Sequence, residues 1–416
     1  MNIEIRPVTS GEADTYIRAV PGAAGMPNWE PEPAAHWAGP GMAAPYGNRI
    51  SDADVARYKS EVRELDRTQA AFADGRLVGT SGVLTLEVTV PGGRQVALGG
   101  VTSVGVLPTH RRRGVLRAMM RAMLDDCRQR GETLAGLDAS EGGIYGRFGF
   151  GPATTMTRWE LARSSVSSAP AGRLELVDGP ALAAVGPGLL DTIRRSRVGQ
   201  VSAWPGQWTS MTRDGWFVLH HAPDGAVDGA AVYRYAGAAD PGTVQVDWLD
   251  ASSPEAYTDL WLFLADLDLT KQVVAAKRPP DEPLRWQLTN PRALRVTRMS
   301  DDLWIRLVDV PGALAARSYA VPGSLVLAVA DEFCPWNEGQ WRLDGGPYGA
   351  ACAQAPAGSA ADLRLDATTL GSLYLGGVAP GPLARAGRIT ELAPGALGRL
   401  TAMLAQPDAP FTSIGF

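Results

Sequence analysis

The residues of this chain best placed to do chemistry form a strand, a basic turn and a helix at 101–120, VTSVGVLPTHRRRGVLRAMM. A β-rich run reaches Pro108, and Arg111, Arg112 and Arg113 follow. Gly114 then opens a helix whose apolar residues Val115, Leu116, Met119, Met120, Met123, Leu124 and Cys127 recur at helical spacing. Successive backbone N–H groups at a helix N-terminus attract phosphate oxygens. The guanidinium groups add charge, and glycine lets the backbone approach a bulky anion. The segment is suited to hold a pyrophosphate, although a solvated basic helix start would use the same residue types.

A second constellation follows one strand later, LDASEGGIYGRFGFGP at 137–152. Ser140 and Glu141 leave the strand, and Gly142-Gly143 permits a sharp turn. Tyr145 sits among Gly146, Gly149 and Gly151, with Phe148 and Phe150 as apolar packing. Taken alone, this reads first as a glycine-rich aromatic loop packing on a sheet, and what raises Tyr145 is its position about thirty residues after the basic turn, one strand further on.

These two segments must be positioned by a sheet. An alternating strand is expected at 3–6, and a polar helix at 52–66 follows a Pro/Gly-rich stretch at 21–47. Strands are expected at 70–72 and 77–90, broken by turns at Asp74-Gly75 and Pro91-Gly92-Gly93, then at 101–106 and 134–138. The 112–130 helix lies between the last two, and such alternation argues for a mixed α/β sheet. The Ser/Ala/Pro-rich run RSSVSSAPAG at 163–172 reads as a linker. Strands at 216–221, 230–235 and 244–249 and a helix at 254–267 then repeat the order of the first region without its basic turn, a plausible degenerate duplicate. A third segment opens near Ser300, with strands at 303–307, 324–330 and 362–365 and helices at 311–317, 367–374 and 394–404. The chain closes on Phe411-Thr-Ser-Ile-Gly-Phe416, too apolar for a fraying end and expected to be buried.

Composition excludes several classes of function. At 416 residues two to three domains are expected. A net charge of −5 gives no electrostatic case for nucleic acid. Three cysteines and four histidines without ligand spacing point to neither a disulfide framework nor a metal site. MNIEIRPVTS lacks a basic region followed by an apolar core, so no signal peptide is expected, and no apolar run reaches the ~20 residues that span a membrane. The expectation is a soluble, cytoplasmic protein.

The turn resembles the coenzyme A signature of the GCN5-related N-acetyltransferases, Arg/Gln-x-x-Gly-x-Gly/Ala after a Val-x-Val strand. Here it reads Arg111-x-x-Gly114-x-Leu116, so the last small residue is replaced. In such a sheet the coenzyme thiol lies where Tyr145 falls. The longer runs VTSVGVLPTHRRRGVLR and SEGGIYGRFGFGPAT, with the aromatic terminus, resemble the enhanced intracellular survival (Eis) acetyltransferases. That resemblance implies an α+β architecture of two tandem acetyltransferase folds followed by a fold like sterol carrier proteins. The divisions drawn above then become 1–162 with the acetyl-CoA site, 173–299 without one, and 300–416.

The same resemblance implies roles. Val104, Gly105 and Val106 would present backbone groups to the pantetheine arm. Arg111, Arg112, Arg113, Gly114, Val115, Leu116 and Arg117 would surround the pyrophosphate, and Ser140 and Glu141 would lie beside the thiol. Tyr145 would be the general acid for the departing thiolate, and the carboxylate of Phe416 the general base for the incoming amine. Neither motif holds a cysteine to carry an acetyl group, so direct attack is expected. A homo-oligomer, a hexamer built from trimers, is also implied. The acceptor would be a cationic amine-bearing small molecule, aminoglycosides foremost. Trp29, Glu30, Glu32, His36 and Trp37 in the 25–47 stretch combine carboxylates with aromatic walls that suit a polycation, although anchoring of a surface loop explains them as well. Asp138, leading into Ser140, is a further acidic candidate near the amine. The competing reading is a binding protein, with a lipid-binding third region and a non-catalytic, coenzyme-responsive first fold. An intact basic turn, Tyr145 and Phe416 argue against it.

Overall fold

The computed structural model describes residues 3–23, 55–56, 59, 64–162, 173–237 and 242–416. The 25–47 stretch with Trp29, Glu30 and Trp37, most of the expected 52–66 helix and the 163–172 linker lie outside the described residues. The first strands are β1 (Ile3–Arg6), β2 (Ala70–Ala73), β3 (Arg76–Thr89), β4 (Gln95–Val106), β5 (Leu134–Asp138), β6 (Gly151–Pro152) and β7 (Thr155–Ala162). Next come β8 (Arg173–Val177), β9 (Trp216–His221), β10 (Val227–Tyr235), β11 (Thr243–Ala251), β12 (Gln272–Arg278), β13 (Leu294–Asp301) and β14 (Leu303–Leu307). The last are β15 (Gly323–Ala330), β16 (Gly339–Gly346), β17 (Gly349–Gln354), β18 (Leu363–Asp366) and β19 (Ile389–Glu391).

Three mixed sheets result, in the orders β1-β2-β3-β4-β5-β14-β6, β13-β7-β12-β11-β10-β9-β8 and β17-β16-β15-β18-β19. The first two share one plan. Four antiparallel strands lead to a parallel pair, β4/β5 in one and β11/β12 in the other. The duplication suspected from strand order is therefore present in the topology.

The sheets cross the divisions at 162 and 300. β7, assigned to the first region, inserts between β12 and β13 of the second sheet. β14, assigned to the third, inserts between β5 and β6 of the first. Each exchange closes a sheet on an apolar strand: β14 is buried along its whole length, and Trp159 and Leu161 of β7 are fully buried. A break in composition marks where the chain is soluble, not where its hydrogen bonds go.

The amphipathic Val115–Gln129 helix packs Val115, Met119, Met120, Met123, Leu124 and Cys127 onto the first sheet, and Leu116 is half-buried. Cys127 is a packing residue, because a Cβ on Gly99 would stand 2.5 Å from its sulfur. Burial holds its thiol well above the ordinary range. Among the described residues, no helix is long and apolar enough to cross a membrane, and no group of three His, Cys, Asp or Glu could hold a metal.

Candidate active site

The site begins where β4 and β5 part. They pair in parallel only from Leu98↔Leu134 to Gly100↔Gly136, after which β4 runs on to Val106 and β5 to Asp138. The cause lies on the far side of β4. Pairing with β3 steps from Thr80↔Gly105 to Gly82↔Thr102, so β4 carries one extra residue there. Ser103 takes a left-handed backbone (φ 56°), and its carbonyl accepts the Thr80 hydroxyl at 2.9 Å. Such a bulge bends and twists its strand, which opens a notch between β4 and β5. Val104, Gly105 and Val106 lie on β4 beyond this bulge.

Past the notch, the basic turn uses two left-handed residues, Arg112 (φ 61°) and Gly114 (φ 81°). Alternating handedness gathers backbone N–H groups into a concave, anion-binding array. No side chain caps the helix that follows and no acidic residue sits in its first turn, while space around Gly114 is open. The Arg111 Nε donates to the Val106 carbonyl at 3.2 Å, tying the turn to the strand end. Arg112 and Arg113 are exposed. The Arg117 guanidinium lies 5.1 Å from the centre of the Phe333 ring, stacked toward the third region. The matching helix of the second sheet differs: Ser253 caps the Ala256 N–H at 3.1 Å and Glu255 fills the first turn, which disfavours an anion.

On the β5 side the 141–151 segment is more ordered than a loop. It forms a helical turn at Gly142–Tyr145 and a 3₁₀ turn at Gly146–Phe148, closed by left-handed Gly149. Ser140 and Glu141 are exposed at the rim, and Tyr145 is buried below them, 6% exposed. The Ser140 hydroxyl hydrogen-bonds the phenol, while burial and the nearby Glu141 carboxylate push its pKa above the ordinary 10. The chain's own sequence order thus brings Ser140, Glu141 and Tyr145 together.

Elements distant in sequence hold this segment. Thr368, on the Ala367–Leu373 helix, donates its hydroxyl to the Gly146 carbonyl at 2.8 Å. A Cβ on Gly149 would collide with the fully buried Arg306 guanidinium of β14, itself paired with Asp331. The third region therefore braces the turn that carries Tyr145. Thr368→Val is expected to lower stability by about 1 kcal/mol, read as a reduced denaturant midpoint. An unchanged midpoint would remove this brace.

The C-terminal segment reaches the same place. Its Phe411 N–H donates to the Val198 carbonyl at 2.9 Å. The Ser413 N–H donates to Gln200 Oε1 at 3.0 Å, and the Trp248 indole to the Ser413 hydroxyl at 3.3 Å. Phe411 and Ile414 are 2% exposed, and each contributes about 2 kcal/mol of apolar burial. Phe416 then lies over Gly100 at the start of the notch, where an added Cβ would stand 3.1 Å from its ring. Its backbone N–H faces the Asp138 carboxylate at the end of β5, and a Cβ on Gly415 would stand 2.9 Å from Asp138 Oδ2. Burial, with Asp302 and Asp301 nearby, pushes Asp138 up to about 7, and Lys277 and the Phe416 N–H oppose the rise.

Lys277, Asp302, Arg306 and Thr368 were not singled out from sequence. Lys277 alone left a trace, as one of only three lysines in the chain and inside the buried strand run VVAAKR.

Three family models match successive parts of the chain. Residues 4–153 match an acetyltransferase (GNAT) domain family, 199–307 a second acetyltransferase (GNAT) domain family, and 310–413 a sterol carrier protein domain family. An uncharacterized N-acetyltransferase of Streptomyces coelicolor is 40% identical over 89% of this chain and 94% of its own length. N-acetyltransferase Eis of Mycobacterium tuberculosis is 34% identical over 80% of this chain and 84% of its own. The crystal structure of Eis1 from Mycobacterium abscessus superposes with a TM-score of 0.82 at 32% identity, covering 99% of this chain and 100% of that one.

Proposed function

The chain belongs to the Eis family of N-acetyltransferases, and from that premise we propose that it moves the acetyl group of acetyl-CoA onto primary amines of cationic small molecules, aminoglycosides foremost. The observation that carries this reading is that three elements border β4 and β5 where they part. They are the uncapped basic turn, the braced Tyr145 and the tail bearing Phe416.

The residues present fit acetyl-CoA. The N–H array at 112–115 and the exposed Arg112 and Arg113 suit its diphosphate. The edge of β4 at Val104, Gly105 and Val106 offers backbone partners to an extended pantetheine arm, as a missing strand would. When bound, it supplies an activated thioester. The carboxylate of Phe416 takes the proton from the amine nitrogen as the C–N bond forms. Tyr145 gives its phenolic proton to the sulfur as the C–S bond breaks, and solvent exchange resets both groups. Asp138, Asp301 and Asp302 make the surroundings of the tail acidic, which favours a polycationic acceptor. Assembly as a hexamer belongs to the same reading.

Arg112→Ala is expected to weaken acetyl-CoA binding about tenfold while leaving kcat near its native value. A titration showing an unchanged dissociation constant would remove Arg112 from the phosphate site. The acceptor class is tested by comparing kcat/KM for an aminoglycoside, a linear polyamine and a lysine peptide. The reading requires the aminoglycoside to lead, and a preference for the lysine peptide would overturn it.

A further inference from the structure

Between the first two sheets, beside the docked tail, sits a group of charges that includes Lys277, which the chemistry above does not use. Lys277 near the end of β12 is ion-paired with Asp302, at the turn between β13 and β14. The Asp302 side chain is 4% exposed and that of Lys277 20%. Asp138 is within electrostatic reach of the same ammonium, and the Phe416 N–H faces its carboxylate. Asp301 also faces the group, with Oδ2 accepting the Trp304 indole N–H at 2.6 Å. Asp302 Oδ2 and Asp138 Oδ1 are buried with no hydrogen-bond partner. Thr154 supports Asp302 through its side chain.

Three aspartates thus gather around one ammonium, beside the docked Phe416. Placing anions together in a desolvated space is unfavourable unless a cation compensates. We infer that Lys277 is a positioning residue for the C-terminal carboxylate, acting through Asp138. Its ammonium compensates the Asp138 and Asp302 carboxylates, and Asp138 then fixes the tail through the Phe416 N–H. The second acetyltransferase-like fold thereby takes part in acetyl transfer without binding the coenzyme. This inference rests on the reading of Phe416 as the base, but the position of the tail can be measured independently of that role.

The test is hydrogen exchange of the C-terminal peptide 411–416, with kcat and acetyl-CoA affinity measured on the same preparations. Lys277→Met should speed exchange of that peptide about tenfold or more and lower kcat by a similar factor, with coenzyme affinity unchanged. Lys277→Arg keeps the charge and should restore both. Should Lys277→Met fold poorly, the double variant Lys277→Met/Asp302→Asn removes one charge of each sign and should return exchange toward native. Faster exchange with native kcat would uphold the positioning and dismiss Phe416 as base. Native exchange in a folded Lys277→Met, or fast exchange that neither Lys277→Arg nor the double variant corrects, would overturn the inference.

Discussion

Replacing Tyr145 with phenylalanine lowers kcat for acetyl transfer by about 10²-fold or more, with little change in acetyl-CoA affinity. The argument is one of place and proton. Tyr145 is buried beneath Ser140 and Glu141 at the rim of the notch, and both burial and the Glu141 charge keep its phenol protonated. A thiol titrates near ~8.5, so a thiolate leaving at neutral pH needs a donor that still holds its proton. Phenylalanine fills the same envelope and keeps the edge contact with Phe150, whose ring centre lies 6.4 Å away. The loss should therefore appear in turnover and not in stability. Because the phenol's pKa is raised, Tyr145 adds no alkaline fall in kcat below about pH 10. Steady-state kinetics beside a coenzyme titration checks this, and near-native kcat in the folded variant would end the assignment.

Removing Phe416 alone lowers kcat by about 10³-fold. The anchors of the tail lie upstream, in Phe411, Thr412, Ser413 and Ile414, and they remain. The fold should stay intact. What changes is the chain end, which moves back by about 3.5 Å to Gly415. The Asp138 carboxylate loses the Phe416 N–H and Gly100 loses the ring that covers it. Phe416→Ala separates the two contributions, since it keeps a carboxylate at the same chain position. It should retain at least tenfold more activity than the deletion. Equal activity of the two variants would assign the effect to the aromatic ring.

What could be read from sequence was local. The basic turn, the helix from Val115 and the burial of the terminus are each encoded within about twenty residues by periodicity, glycine placement and apolarity. The pairing of Leu303 with Asp138, or of Met156 with Ser300, joins residues far apart and leaves no local signature. The β16–β17 hairpin was hidden by Asp344-Gly-Gly346, because much of it faces solvent and β17, GAACAQ, carries no large apolar residue. The helical turn at Tyr145 was hidden by its glycines. Tertiary contacts support the turn, with Thr368 on Gly146 and Arg306 against the left-handed Gly149. Lys277 stands out in sequence only as a rare lysine in an apolar run, because its partners arrive from β5 and from the β13–β14 turn.

The most direct measurement of the central claim is a single incubation of the protein with acetyl-CoA and an aminoglycoside, followed by mass spectrometry and a thiol assay. The account predicts an acetylated amine formed in equal amount with free coenzyme A thiol, and neither product without the protein. Coenzyme binding with no acetylated product from any amine would contradict it and leave a coenzyme-responsive scaffold in its place.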